Sequence, residues 1–150
     1  MANVQIIVGS MLGAAEYVAD AVEAELTPAG HEVTIHLQPN YSDIPEADLW
    51  LVCTSTHGAG DLPDNIEPFA ESLKTTDLSG VKFAVIGIGD SCYDTFCGGA
   101  IQMQDILSKQ GAKLVRDPIH IDVLEHPQPE DHAVTWMQEW INHTPELIAG

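Results

Sequence analysis

The sequence predicts an α/β protein with five parallel strands in a single sheet and helices on both faces. Three observations lead there. Apolar runs alternate with amphipathic segments from end to end, with no internal repeat or composition break, which is the pattern of strand–helix–strand units. The run Lys82 to Gly87 is continuously apolar beyond its first residue, as a central parallel strand covered on both faces requires. The length of 150 residues is enough for one core, so one domain spanning 1–150 is expected.

Val4 to Val8 is a β-rich run ending at Gly9-Ser10, and Ala14 to Leu26 follows with Tyr17, Val18, Ala21, Val22 and Leu26 at helical spacing. His31 to Leu37 alternates Val33, Ile35 and Leu37 with polar residues, which suits a strand near the sheet edge. Asp48 to Thr54 is the third strand. Asp64, with Glu67 three residues on, predicts an N-cap for a helix running to about Lys74, with Pro68 in its early turns. After the fourth strand, Gly98 to Gln110 reads as a helix closed by Gly111. Lys113 to Val115 and Ile119 to Ile121 are short apolar pieces split by Asp117-Pro118, and Pro129 to Ile141 is a final helix bearing Trp136 and Trp140.

Charge is the unusual feature of the composition: 23 acids against 5 bases, a formal net charge of −18. Such a surface repels phosphate backbones and anionic lipid, which argues against nucleic-acid or membrane binding, and it attracts a basic partner. It also serves solubility. No apolar run approaches a bilayer span, and Met1 to Ser10 lacks the basic and apolar regions of a secretion signal. Cys53, Cys92 and Cys97 are an odd set without CxxC spacing, so reduced thiols and a cytoplasmic location are expected. The seven histidines are scattered, and no metal site is expected.

Ligands in parallel sheets sit beyond the carboxyl ends of the strands, near the point where strand order reverses. Three loops there carry clustered small, hydroxyl or aromatic residues. The first, Ser10, Met11, Leu12, Gly13, Ala14 and Ala15, leads into a helix whose backbone N–H groups can hold an anion. A tight turn needing two glycines reads equally well from this loop alone. The second, Ser55-Thr56-His57-Gly58-Ala59-Gly60-Asp61-Leu62-Pro63-Asp64-Asn65, has two glycines that permit unusual peptide orientations, with His57 as either a flat ring for a ligand or an exposed loop histidine. The third, Gly89-Asp90-Ser91-Cys92-Tyr93-Asp94-Thr95-Phe96-Cys97, offers Tyr93 as a planar face or as a cover for the loop.

Together, GSxLGxAEYVA, STHGAGDLPDN and GDSCYDTFCGGA resemble the loops of the flavodoxin family across essentially the whole chain, most closely its short MioC-type branch. The resemblance implies a flavodoxin-like three-layer sandwich with strand order 2-1-3-4-5 and flavin mononucleotide (FMN) as cofactor. It implies that residues 10–15 bind the FMN phosphate and that the ring lies between His57 and Tyr93. Gly58, Ala59, Thr95 and Cys97 would offer backbone groups to its polar edge, with Ser55, Thr56, Gly60, Gly89, Asp90 and Phe96 completing the loops. A peptide flip at Gly58 would serve the reduced ring. Two departures stand out. Leu12 and Ala15 replace hydroxyl residues, leaving Ser10 as the one hydroxyl donor, and each lost bond weakens binding by roughly 0.5–1.5 kcal/mol. His57 stands where many members place Trp or Tyr, and a histidine offers less stacking area and can become charged near neutral pH.

The function this resemblance implies is an electron carrier without catalytic residues, a monomer shuttling electrons from a reductase to an acceptor enzyme through its acidic rim. Two other readings are an FMN-dependent reductase of a quinone-type acceptor, for which no substrate-pocket motif is present, and an interaction protein that binds FMN weakly. Cys92 and Cys97 read as small side chains beside the ring rather than redox thiols, because neither has a cationic neighbour in sequence.

Overall fold

A computed structural model of the chain describes residues 2–10, 13–45, 47–56, 62–89, 97–145 and 147. The elements in chain order are β1 (Asn3–Gly9), α1 (Ala14–Leu26), β2 (Glu32–His36), β3 (Leu49–Ser55), α2 (Glu67–Leu73), β4 (Lys82–Gly89), α3 (Gly98–Lys109), β5 (Lys113–Leu114), β6 (Ile119–Asp122) and α4 (Pro129–His143), with a short 3-10 turn at Tyr41–Asp43. All strand pairings are parallel, in the order β2-β1-β3-β4-β5, with β6 also paired to β4.

β5 and β6 share one edge position. Lys113 and Leu114 pair with Lys82 and Phe83, and Ile119 to Asp122 pair with Ile86 to Gly89. The fifth strand of the sequence reading is therefore one strand broken at 115–118. Pro118 sits in the break, where its missing N–H costs no ladder bond.

Alternation along the strands divides the core into two layers. Val4, Ile6, Val8, Leu49, Leu51, Cys53, Ala84, Ile86 and Ile88 face α1 and α4, while Ile7, Trp50, Val52, Phe83 and Val85 face α2 and α3. Buried Gln5 breaks the apolar rule on β1. It is satisfied by a polar chain in which its amide donates to Asn3 Oδ1 at 2.7 Å and its carbonyl accepts from His36 Nε2 at 2.7 Å.

Two local expectations are corrected. Asp64 is not an N-cap: residues 64–66 form a turn, and α2 begins at Glu67, with Pro68 in its first turn where the N–H has no intrahelical acceptor. Tyr17, expected on the apolar face of α1, is 68% exposed, and Ala15, Val18, Ala19, Val22 and Leu26 form the buried stripe instead.

Candidate functional site

Register places three strand ends side by side. Gly9 is level with Thr54, and Ser55 with Ile88, so the chain leaves β1, β3 and β4 at nearly the same height. With strands about 4.8 Å apart, the three loops start within about 10 Å along one edge. This edge includes the reversal of strand order between β1 and β3, the ligand position of such sheets.

Close approach fixes the first loop. A Cβ on Gly9 would collide with the buried Thr54 hydroxyl and lie 2.9 Å from Ile66 Cγ2, so only glycine fits. Gly13 opens α1 at φ 88°, a left-handed conformation that favours glycine. Ser10 Oγ accepts from Gly13 N–H at 2.9 Å, which leaves the hydroxyl proton available to donate outward. The first intrahelical bond is Tyr17 N–H to Gly13 C=O, so the N–H groups of Ala14, Ala15 and Glu16 precede the ladder and can meet an anion. Ala15 is fully buried against the core, so it contributes only its backbone there. Glu16 is an exposed carboxylate in that first turn.

Asn65 ties the first and second loops together. Its Oδ1 accepts from Ser10 N–H at 2.8 Å, while its Nδ2 donates to Val8 C=O at 2.8 Å and Leu37 C=O at 2.9 Å. Thr56 ties the second loop to the third, because its Oγ1 accepts from Gly99 N–H in the first turn of α3 at 3.1 Å. Cys97 enters α3 in the left-handed region at φ 53°, with its side chain fully buried beside Gly87. Burial, and then the charge of Asp122, push its thiol pKa up to about 12. Cys53 is likewise buried, and burial pushes its thiol pKa up. Both are inert thiols at neutral pH, in line with the packing role expected of Cys97.

Of the residues expected at the site, the structure brings Ser10, Gly13, Ala14, Ala15, Ser55, Thr56, Gly89 and Cys97 to this edge. Met11, Leu12, His57, Gly58, Ala59, Gly60, Asp90, Tyr93, Thr95 and Phe96 lie outside the described residues. Sequence reasoning missed three residues. Asn65 was visible only as one polar residue in a loop, and its side-chain reach to β1 follows from the fold. Asp122 ends β6 level with Gly89 and is buried, its Oδ1 accepting from Leu124 N–H at 3.0 Å. Glu16 was readable as an acid in a first helical turn, but its nearness to the anion-binding amides depended on where the helix starts.

The lysines, unlike the acids, are confined to one end of the sheet axis: Glu25, Glu32, Asp48 and Asp77 also lie at the amino edge. Lys74, Lys82, Lys109 and Lys113 lie at the amino edge, at the ends of α2 and α3 and the starts of β4 and β5. The opposite edge carries Glu16, Glu67, Glu130 and Asp131 in first helical turns, along with Asp122. Exposed Tyr17, Leu37, Ile101 and Leu124 border the same edge.

A doubly wound parallel sheet with three strand ends gathered at its reversal point defines a protein of the three-layer α/β class. The chain belongs to the flavodoxin family, whose model matches residues 6–136. It is 44% identical to protein MioC of Escherichia coli K12 over 144 residues, covering 95% of this chain and 98% of the relative, and 40% identical to flavodoxin YqcA of the same organism, covering 93% and 97%. A cysteine-to-serine mutant of a flavodoxin from Pseudomonas aeruginosa superposes with a TM-score of 0.85 at 33% identity, covering 93% of this chain and 97% of that one. Members of the family are FMN-binding electron carriers rather than enzymes. Among the described residues no helix is long and apolar enough to cross a membrane, and no cluster of potential metal ligands occurs.

Proposed function

We propose that this chain is a one-domain, cytoplasmic electron carrier that holds FMN at the carboxyl edge of its sheet and passes electrons between a reductase and an acceptor enzyme. The observation that carries this reading is that Asn65 and Thr56 tie together the described flanks of the three strand-end loops. The residues fit the cofactor. The Ser10 hydroxyl and the N–H groups of Ala14 and Ala15 would hold the phosphate, and the loops containing His57 and Tyr93 would flank the ring. FMN, when bound, accepts one or two electrons, so the protein needs no acid, base or nucleophile of its own.

The chain's own part is to set affinity, potential and docking. Asp122 and the surrounding acids disfavour added negative charge on the ring. The acidic edge, interrupted by exposed Tyr17, Leu37, Ile101 and Leu124, suits a basic-surfaced redox partner with apolar contacts at its centre. Glu16 opposes a phosphate at α1, and the Ser10 and Gly13 amides are already engaged within the protein, so the cofactor is held loosely.

Titration of the apoprotein with FMN and with riboflavin tests the assignment. FMN is expected to bind more tightly by the contribution of its phosphate. Equal affinities contradict the role of residues 10–15, and the absence of binding to either removes the carrier reading in favour of an interaction protein.

A further inference from the structure

Arg116 is the only arginine in a chain with 23 acids, yet among the described residues it has no carboxylate partner. Its guanidinium carbon lies 5.7 Å from the ring centre of Trp136 and 5.4 Å from that of Trp140. Its Nε is buried without a hydrogen-bond acceptor. The neighbouring Asp117 is exposed and makes no ion pair with it. Arg116 lines an open cleft of about 710 Å³ with Leu114, Asp117, Ile119, His120 and Trp136, at the break between β5 and β6. Ile119 is level with Ile86, three residues short of the end of β4, so this cleft is lateral to the loops of the FMN site.

A guanidinium stacked on two indoles is oriented with little remaining freedom, and its planar fork of N–H donors matches a carboxylate. The buried Nε is closed to the cleft, so a carboxylate would be met by the two terminal Nη groups of the fork. Beside Asp117 and His120, the lining includes Leu114, Ile119 and Trp136, which favour a flat ligand body. The net charge of −18 opposes a second negative charge on the ligand, so a monoanion is preferred to a phosphate dianion.

We propose that this cleft binds a small planar monocarboxylate, with its oxygens on the Arg116 guanidinium and its aromatic body against Trp136 and Ile119. A role of Arg116 as nothing more than a cover over the two indoles is the alternative that the test separates.

The test uses the full chain as purified, titrated with benzoate while the indole N–H resonances are followed by NMR. Trp50 lies in the core layer on the other face of the sheet and serves as an internal control. Saturable shifts of Trp136 and Trp140 with Trp50 unmoved are expected. Arg116→Gln should weaken binding about tenfold or more, and Arg116→Lys, which keeps the charge but not the fork, should weaken it less. Should Arg116→Gln fail to fold, the lysine variant decides the matter. Shifts that do not saturate, or that are unchanged in the variants, overturn the proposal. Inorganic phosphate binding as tightly as benzoate overturns the planar-carboxylate assignment and leaves a general anion site.

Discussion

At the amino edge of the sheet, four lysines sit among helix ends and strand starts, and one of them, Lys74, pairs with Glu71 at 2.8 Å. At the carboxyl edge the acids of three helix starts and Asp122 gather, among the described residues, without a lysine or arginine between them, beside four exposed apolar side chains. Helices that follow parallel strands start at the carboxyl edge, so their dipoles stabilise those acids locally, at about 0.3–1 kcal/mol each. Acids occupy both edges, so the difference lies in the bases: with the lysines held at the amino edge, the carboxyl edge keeps its negative charge uncompensated. The same difference directs a basic partner to the end where the loops are.

The largest effect is expected where that edge is packed most tightly. Gly9→Val places a side chain on the Thr54 hydroxyl and Ile66, and should cost about 3 kcal/mol of stability by overpacking, together with flavin binding. Urea unfolding checks this, and a variant as stable as the parent would show that the edge yields where the structure has it rigid. Asn65→Ala comes next, because it strips one acceptor and two donors from the brace between the first two loops. A loss of about 2 kcal/mol is expected, with weaker FMN binding. Asn65→Asp keeps the acceptor for Ser10 N–H but sets a carboxylate oxygen against the Val8 and Leu37 carbonyls, so it should cost at least as much as alanine.

Those two residues also mark how far the sequence could be read. The boundaries of α1 were legible because glycine and apolar spacing mark both ends, and the buried run of β4 was legible as a continuous apolar stretch. The start of α2 was not, because Asp64 imitates a capping residue while the preceding turn already uses Pro63 C=O as acceptor for Ile66 and Glu67. At the site, glycines and loop motifs marked the strand ends that the structure sets side by side. The bracing did not show, because Asn65 acts on residues 55 and 57 positions away, and long-range side-chain reach leaves no local pattern. Asp122 was hidden in a short apolar strand for the same reason.

Acid should weaken the fold through histidines spread over both edges. Burial lowers the pKa of His31, His36 and His120 below the usual 6.5, with Asp43 partly opposing this at His36. The folded state thus binds fewer protons than the unfolded chain, and the stability present above pH 6.5 is lost as the pH falls through the lowered values. Lower urea midpoints are expected at pH 5.5 than at 7.5. His31 Nδ1 accepts from Ala2 N–H at 2.9 Å, and His31→Asn, which can keep an acceptor but cannot titrate, should flatten the difference. An unchanged slope would remove His31 from the account.

Asp122→Asn examines the charge at the carboxyl edge directly. Removing one negative charge from this edge should raise the flavin potential by tens of millivolts, equivalent to about 1 kcal/mol at an effective dielectric constant near 20. Potentiometry at low and high salt checks it. A potential that does not move means that the buried carboxylate is neutralised by its own hydrogen bonds, of which Leu124 N–H is one.

The smallest change asks whether the acidic edge works against its own cofactor. Glu16 sits in the first turn of α1, where its charge favours the helix dipole but shares the field of the N–H groups of Ala14 and Ala15 with any bound phosphate. Glu16→Gln removes that competition while sacrificing some helix stability. Because the residue is exposed, the gain is small, and FMN affinity should rise about twofold to fivefold, more at low salt than at high. Riboflavin, which lacks the phosphate, should bind the variant and the parent equally. A parallel gain for riboflavin would place the effect in the ring loops, and a loss for FMN alone would mean that Glu16 orders the first turn rather than repels its ligand.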